Sequence, residues 1–401
     1  MISLPLFTKK SVAGLTFALL PVTLFLPVGF MYFWIFIATV AAALNGNLRE
    51  AKRSILTNPI LIPAALLFLI VFSQAIFLSS ENDRRWSGMT HYFIFIFFFL
   101  FLLISPDRFR LLAKQVFYCS ASVAALIFYL AKIGLIPDWY IFKNFLFYAG
   151  NRSIAIGIFL AIAAGWMLND AQNDYSPKKI GLLLSGYFFI GAAVFLFATT
   201  RTGLLLLFAL SAVAIVRNFS MSKKYLLLAS SMIIFLVLAA GLKSVSSQRL
   251  IETISAVTSE QPQKSESGEM VRLQFFQKTC EMILEKPLLG HGIGSWRQQY
   301  PIRAEGLMTA QMSTPHNDYL LYTAELGLVG LITLLAILFS LIRAAIKAPF
   351  KRGNLLLMIS VAMAVGSMFN AILRDWRFGV PFMLLLAIAY RESQQEPTEV
   401  D

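Results

Sequence analysis

The histidine at position 316 stands in the run Ser313-Thr314-Pro315-His316-Asn317-Asp318, directly ahead of a long apolar stretch. A neutral imidazole is a competent general base. Ser313 or Thr314 is suited to cap a helix whose first position is Pro315, which predicts His316 in the first turn. There the positive end of the helix dipole disfavours imidazolium, so the base would be neutral near pH 7. A solitary histidine at a membrane boundary is more often a capping or interfacial residue, but this one has company. Asp318, Tyr322 and Glu325 follow at i, i+4 and i+7 on the same helix, and Glu325 lies about 13 Å below His316 at ~1.5 Å per residue. An ionisable residue inside an apolar span is a functional candidate by default. For Glu325 the expected role is to orient neighbouring polar groups rather than to do chemistry.

Guanidinium groups are the second feature. Arg201 occurs in Thr199-Thr200-Arg201-Thr202-Gly203, a turn between two apolar runs, and Arg272 opens an amphipathic stretch. Arg152 and Arg374 are further candidates. Arginine pairs bidentately with phosphate oxygens and stays charged at any accessible pH. The run Gly290-His291-Gly292-Ile293-Gly294 permits close backbone approach to a ligand through Gly290, Gly292 and Gly294, or a sharp re-entry turn. Arg84 and Arg85, in Glu81-Asn82-Asp83-Arg84-Arg85-Trp86, suit either an interfacial anchor or contact with an anionic acceptor. The spacing of Glu81 and Asp83 is that of an acidic metal motif, but the adjacent arginines compete for both carboxylates. His91, His291 and His316 are far apart in sequence. No Walker loop, dinucleotide fingerprint, H-E-x-x-H or serine-hydrolase elbow occurs, and no metal or cofactor is expected. Cys119 and Cys280 fall in unlike surroundings, so no disulfide is expected between them.

The elements that would carry these residues are membrane helices. Of 401 residues, 58% are hydrophobic and only 14% charged, against about a quarter charged in soluble domains. Apolar runs of spanning length are expected at about 12–28, 30–46, 58–79, 89–104, 112–134, 153–168, 181–199, 203–216, 226–242, 317–342, 355–372 and 380–390. The fold class is thus all-α and polytopic, with about twelve transmembrane helices. Spans 1–9 fill residues 1–242, a large outer loop runs over 243–315, spans 10–12 fill 316–391, and 392–401 form a tail. Lys9 and Lys10 ahead of the first run predict an uncleaved signal anchor.

Short basic loops carry Arg49, Lys52 and Arg53, then Lys178 and Lys179, then Arg217, Lys223 and Lys224, then Arg343, Lys347, Lys351 and Arg352. By the positive-inside rule these loops and both termini are cytoplasmic, and 243–315 faces out. The net charge of +13 follows mostly from that topology, with membrane lipids or an anionic substrate as a second source. No compact basic block with interleaved aromatics points to nucleic acid. Within the outer loop, Glu269 to Glu285 reads as an amphipathic helix. Met270, Leu273, Phe276, Cys280 and Ile283 form its expected packing stripe, and Arg272 lies off that stripe.

At these residues the sequence resembles the O-antigen ligase family, the larger group that includes O-antigen polymerases and protein O-oligosaccharyltransferases. Arg201-Thr202-Gly203-Leu204 resembles its arginine motif. Arg272, followed by Pro287-Leu288-Leu289-Gly290-His291-Gly292-Ile293-Gly294-Ser295, resembles its arginine helix and glycine segment. His316-Asn317 with Gly327 and Gly330 resembles its histidine signature. The motifs cover roughly residues 200–330, and over the remaining spans the agreement is only in number and polarity.

The resemblance implies a metal-independent, inverting glycosyltransferase of the membrane GT-C type with one large periplasmic loop. Its site would face the periplasm of a bacterial inner membrane. Arg201 and Arg272 would hold the diphosphate of an undecaprenyl-diphosphate-linked O-antigen, and His316 would deprotonate the acceptor, with Asn317, Asp318, Glu325 and the three glycines in support. Arg84, Arg85 and Arg152 would meet the acceptor. A short tail with no further outer domain and a single large outer loop favour the ligase, whose acceptor is the lipid A–core, over the polymerase and the protein transferase. A lipid-linked oligosaccharide transporter is the contrasting class. It would place ionisable groups along a midplane path, whereas here only Glu325 sits deep.

Overall fold

The computed structural model describes residues 9–45, 55–78, 85–106, 109–136, 151–197, 201–218 and 268–394, and these are almost wholly helical. The helices are α1 Lys9–Ala18, α2 Val28–Asn45, α3 Leu61–Phe77, α4 Arg85–Thr90, α5 Phe95–Ile104, α6 Arg110–Lys132, α7 Asn151–Asn173, α8 Pro177–Phe197, α9 Arg201–Asn218, α10 Gly268–Glu285, α11 Trp296–Arg303, α12 Asp318–Lys347, α13 Phe350–Phe369 and α14 Trp376–Ser393. Among the described residues, 7 helices are long and apolar enough to cross a membrane, and α1, α3 and α5 belong to shorter apolar segments. The described residues thus account for only part of the expected twelve spans. The ninth, 226–242, and the first part of the outer loop, 243–267, lie outside the described residues.

The fourth expected span, 89–104, is interrupted by turns at 91–94, and the first and last differ from expectation for local reasons. The first is interrupted: α1 ends at Ala18 and a 3-10 turn, Leu20–Phe25, follows with Pro21 near its start. Proline lacks the N–H that a continuing helix needs and its ring crowds the preceding turn. The last is longer than expected at 18 residues, and Asp375 caps it by accepting from Arg377 N at 3.0 Å. Every residue from Phe378 to Tyr390 is buried. A helix that is apolar all round belongs in the middle of a bundle, and α14 packs between α5, α6 and α13. The outward faces of the peripheral helices carry large exposed apolar side chains, such as Phe33, Phe36, Leu182 and Phe188, as lipid contact requires.

Close approach sets the position of α9. A Cβ on Gly203 would lie 2.9 Å from the backbone of Gly157, so glycine at both positions lets α7 and α9 pack backbone to backbone. One end of the bundle is tied by polar side chains. Asn354 Nδ2 donates to Asn169 Oδ1 at 3.0 Å and to Asn218 Oδ1 at 3.1 Å, while Arg217 Nε donates to Asn354 Oδ1 at 2.9 Å. Lys114 bridges Asp170 at 2.9 Å and Glu392 at 3.1 Å. These contacts join α6, α7, α9, α13 and α14 at the end opposite to His316.

α12 is broken. Gly327 has φ 72° and ψ −169°, a conformation essentially reserved for glycine. The groups freed by the break pair with the segment after α10. Ala324 O accepts from His291 N at 2.9 Å, Glu325 O from Gly292 N at 2.9 Å, and Leu328 N donates to Pro287 O at 2.8 Å. Gln74 on α3 completes the set, donating to Leu289 O at 2.9 Å and Leu326 O at 3.3 Å. Irregular backbone in a bilayer persists only where protein satisfies it in this way.

Candidate active site

His316 is not in a first helical turn. The cap of α12 is Asn317, whose side chain accepts from Leu320 N at 3.0 Å, and the helix begins at Asp318. His316 precedes the cap with φ 50°, a left-handed conformation uncommon outside glycine that concentrates at functional positions. Its backbone N–H donates to Thr314 Oγ1 at 3.3 Å. The expected capping by Ser313 or Thr314 is thus corrected, because the chain needs an extended residue at the cap and Asn317 supplies it. The imidazole pKa is nonetheless held below its usual value. Burial is the larger cause and the Arg272 guanidinium the second. Neutrality at pH 7 follows, by a route other than the helix dipole.

Arg272 and His316 are therefore neighbours, brought together by α10. The face of α10 that packs inward carries Phe275, Thr279 and Met282, and Phe275 lies 5.5 Å from the His316 ring, centroid to centroid. Arg272 precedes Phe275 by three residues and so stands at the exposed end of this face. The expected stripe was displaced: Leu273 and Phe276 are more than half exposed. In a membrane protein an apolar stripe marks a lipid-facing side as readily as a packing side. The packing side here is aromatic and polar. Trp296 and Tyr300 of α11 stack at 4.2 Å, Trp296 Nε1 donates to Thr279 Oγ1 at 3.1 Å, and Tyr300 donates to Thr309 at 2.8 Å.

A cavity of about 360 Å³ opens beside His316, with His91, Arg297, Asn370, Arg374 and Arg377 among its lining residues. Arg374 Nη1 donates to Ser313 O at 3.0 Å, holding the segment before His316. Arg201 begins α9, and the next residue, Thr202, accepts from cavity-lining Asn370 at 3.0 Å. That bond sets the start of α9 against the cavity wall. The site thus collects residues from positions 28 to 378.

The carboxylates serve the scaffold. Glu325 is buried and receives three donors: Tyr92 OH at 2.6 Å and Gly294 N at 3.0 Å on Oε2, and Trp296 N at 3.3 Å on Oε1. It fastens the glycine segment, and through Trp296 the aromatic packing around Phe275. Asp318 Oδ2 accepts from Ser367 Oγ at 2.8 Å and Leu373 N at 3.0 Å, tying the start of α12 to the turn between α13 and α14. Neither carboxylate is hydrogen-bonded to His316. The glycine run approaches protein rather than presenting backbone to a ligand: a Cβ on Gly290 would lie 2.5 Å from the Glu325 backbone. His291 is likewise internal, with Nε2 2.8 Å from Met282 O.

Of the expected acceptor contacts, Arg84 and the Arg152 side chain lie outside the described residues, as do Glu81 and Asp83. Arg85 stands on α4 with its guanidinium 5.4 Å from the Trp86 ring centroid and does not line the cavity. His91, Arg297 and Asn370 were not singled out from the sequence, since separations of up to about 280 residues leave no local signal. Among the described residues no cluster of His, Cys, Asp or Glu could hold a metal ion.

Residues 186–335 match the O-antigen ligase family model. The matched segment takes in Arg201, Arg272, the glycine run, His316 and the α12 break. No curated protein matches the chain. The family match supports activity of the O-antigen ligase or polymerase type, a transferase acting on polysaccharide and lipid substrates, in an integral membrane protein.

Proposed function

We propose that this member of the O-antigen ligase family is a ligase proper. It transfers O-antigen from undecaprenyl diphosphate to the lipid A–core, at the periplasmic face of a bacterial inner membrane and with both termini cytoplasmic. The observation that carries the reading is a half-buried His316 that lines an arginine-rich cavity and has Arg272 as its charged neighbour.

The chemistry follows from the charges. An acceptor hydroxyl attacks the anomeric carbon of the donor from the face opposite the diphosphate. The new C–O bond forms as the bond to the diphosphate breaks, and its electron pair leaves on the phosphate oxygen. His316 takes the hydroxyl proton and later returns it to solvent. Arg201 and Arg272 meet the diphosphate, so fixed cations stabilise its growing charge without a metal. Displacement from the opposite face inverts the anomeric centre. Arg297, Arg374 and Arg377 suit the phosphorylated sugars of a lipid A–core, which favours the ligase over polymerisation of neutral repeats.

The test combines purified protein, lipid-linked O-antigen, lipid A–core and excess chelator. Wild type is expected to ligate in chelator, whereas His316→Ala retains donor binding and loses transfer by about 10²–10⁴-fold. Loss of activity in chelator would overturn the metal-free mechanism. Donor glycans joined only to one another would make the chain a polymerase, and glycan joined to protein a protein O-oligosaccharyltransferase. Movement of the lipid-linked glycan across vesicles without transfer would identify a transporter.

A further inference from the structure

His91 follows α4 in the turn that leads to α5, 225 residues before His316, yet the two imidazoles share one cavity. Its Nδ1 lies 2.9 Å from the carbonyl oxygen of Arg374. A carbonyl oxygen only accepts, so Nδ1 carries the hydrogen and donates. Burial first, and the Arg374 guanidinium second, lower the pKa of this imidazole to about 4. At neutral pH the ring therefore has a single proton, on Nδ1, and Nε2 presents a bare lone pair. Nε2 has no hydrogen-bond partner among the described residues, nor does it count among their sealed, unpaired polar atoms.

The rest of the cavity wall is rich in donors. Arg297, Arg374 and Arg377 can only donate, and Asp375 Oδ1 is engaged with Arg377 N at 3.0 Å; besides His91 Nε2, the acceptors on the wall include Asp375 Oδ2 and the Asn370, Ser313 and Thr314 oxygens. A sugar offers several hydroxyls, each of which must donate somewhere once it leaves water. We propose that His91 Nε2 accepts a hydrogen bond from a hydroxyl of the acceptor sugar bound in this cavity and so orients the sugar for deprotonation at His316. His91 is on this view an acceptor-binding residue of fixed tautomer, locked by the same residue, Arg374, that holds the segment before His316. The inference rests on the glycosyl-transfer reading above.

Two substitutions separate this role from a merely structural one. His91→Asn keeps a donor near the Nδ1 position, so the bond to the Arg374 carbonyl survives, but removes Nε2. His91→Gln reaches the Nε2 position and gives up the Nδ1 bond. Transfer is followed with lipid-linked O-antigen and lipid A–core, alongside thermal stability and donor binding. His91→Asn is expected to keep stability and donor binding while kcat/KM for the acceptor falls about 10- to 100-fold. His91→Gln is expected to transfer better than His91→Asn despite lower stability. His91→Asn with wild-type acceptor kinetics, or with transfer equal to or better than His91→Gln, overturns the proposal. Failure of wild type to transfer glycan to any acceptor would instead sink the functional reading beneath it.

Discussion

Replacing Glu325 by Gln is the sharpest probe of how the site is held. Both carboxylate oxygens face donors only: two on Oε2 and one on Oε1. The glutamine amide must turn its NH₂ toward one of them. The less costly choice faces Trp296 N, whose bond is the longest at 3.3 Å, and leaves that N–H unsatisfied at about 1–3 kcal/mol. The bonds from Tyr92 and Gly294 persist but lose charge assistance, about 1 kcal/mol each. The expected loss is about 3–5 kcal/mol of stability, read by denaturant unfolding in mixed micelles. Tyr92→Phe removes one of the same bonds, so the double variant should cost less than the sum of the singles by about 1 kcal/mol. Transfer activity should fall with the folded fraction, and what remains should keep the wild-type pH profile. Unchanged stability in Glu325→Gln would refute the orienting role. Abolished transfer at full stability would move Glu325 into the chemistry.

Two further outcomes are expected. Because His316 is held below its usual pKa by burial and by Arg272, the base form survives to lower pH than in an ordinary imidazole, and the acid limb of activity lies correspondingly lower. Arg272→Gln removes the second cause and leaves the first, so the acid limb of kcat/KM should move part-way to higher pH; a limb that stays in place or moves lower would refute the pairing. Gly327→Ala would set a Cβ 2.1 Å from Leu288 O at a positive φ of 72°, adding close contact at ~1–3 kcal/mol to backbone strain of ~1–3 kcal/mol. Gly134→Ala, also at positive φ but with nothing within 4 Å, should bear the strain alone and unfold measurably later.

The parts of this fold that were legible were those with long apolar periodicity. The helices at 110–132, 318–347 and 350–369 lie close to where hydropathy puts them, because span length is dictated by the bilayer. His316, Arg201, Arg272 and Glu325 stand out because polar groups beside apolar runs are conspicuous. What escaped depended on partners that sequence cannot show. The left-handed turn at His316 follows from Asn317 winning the cap over Ser313 and Thr314. The inward face of α10 is aromatic and polar, so an apolar-stripe rule chose its outward neighbours. The break at Gly327 looked like ordinary helix until its freed backbone groups met the glycine segment. His91 carried no local signal at all.

The polar ties between Asn169, Asn218, Arg217 and Asn354, with Lys114 held between Asp170 and Glu392, bear on energy supply as well as on shape. Alternating access requires each end of a bundle to open in turn. Opening the end opposite the cavity would break these five contacts together, at a net ~0.5–1.5 kcal/mol each. The five helices they join should therefore move as one body, with motion confined to the cavity side. On the proposed function, donor and acceptor then arrive, and product departs, on the cavity side alone. Under the proposed transfer, such a turnover is driven by the donor's diphosphate bond and needs no ion gradient.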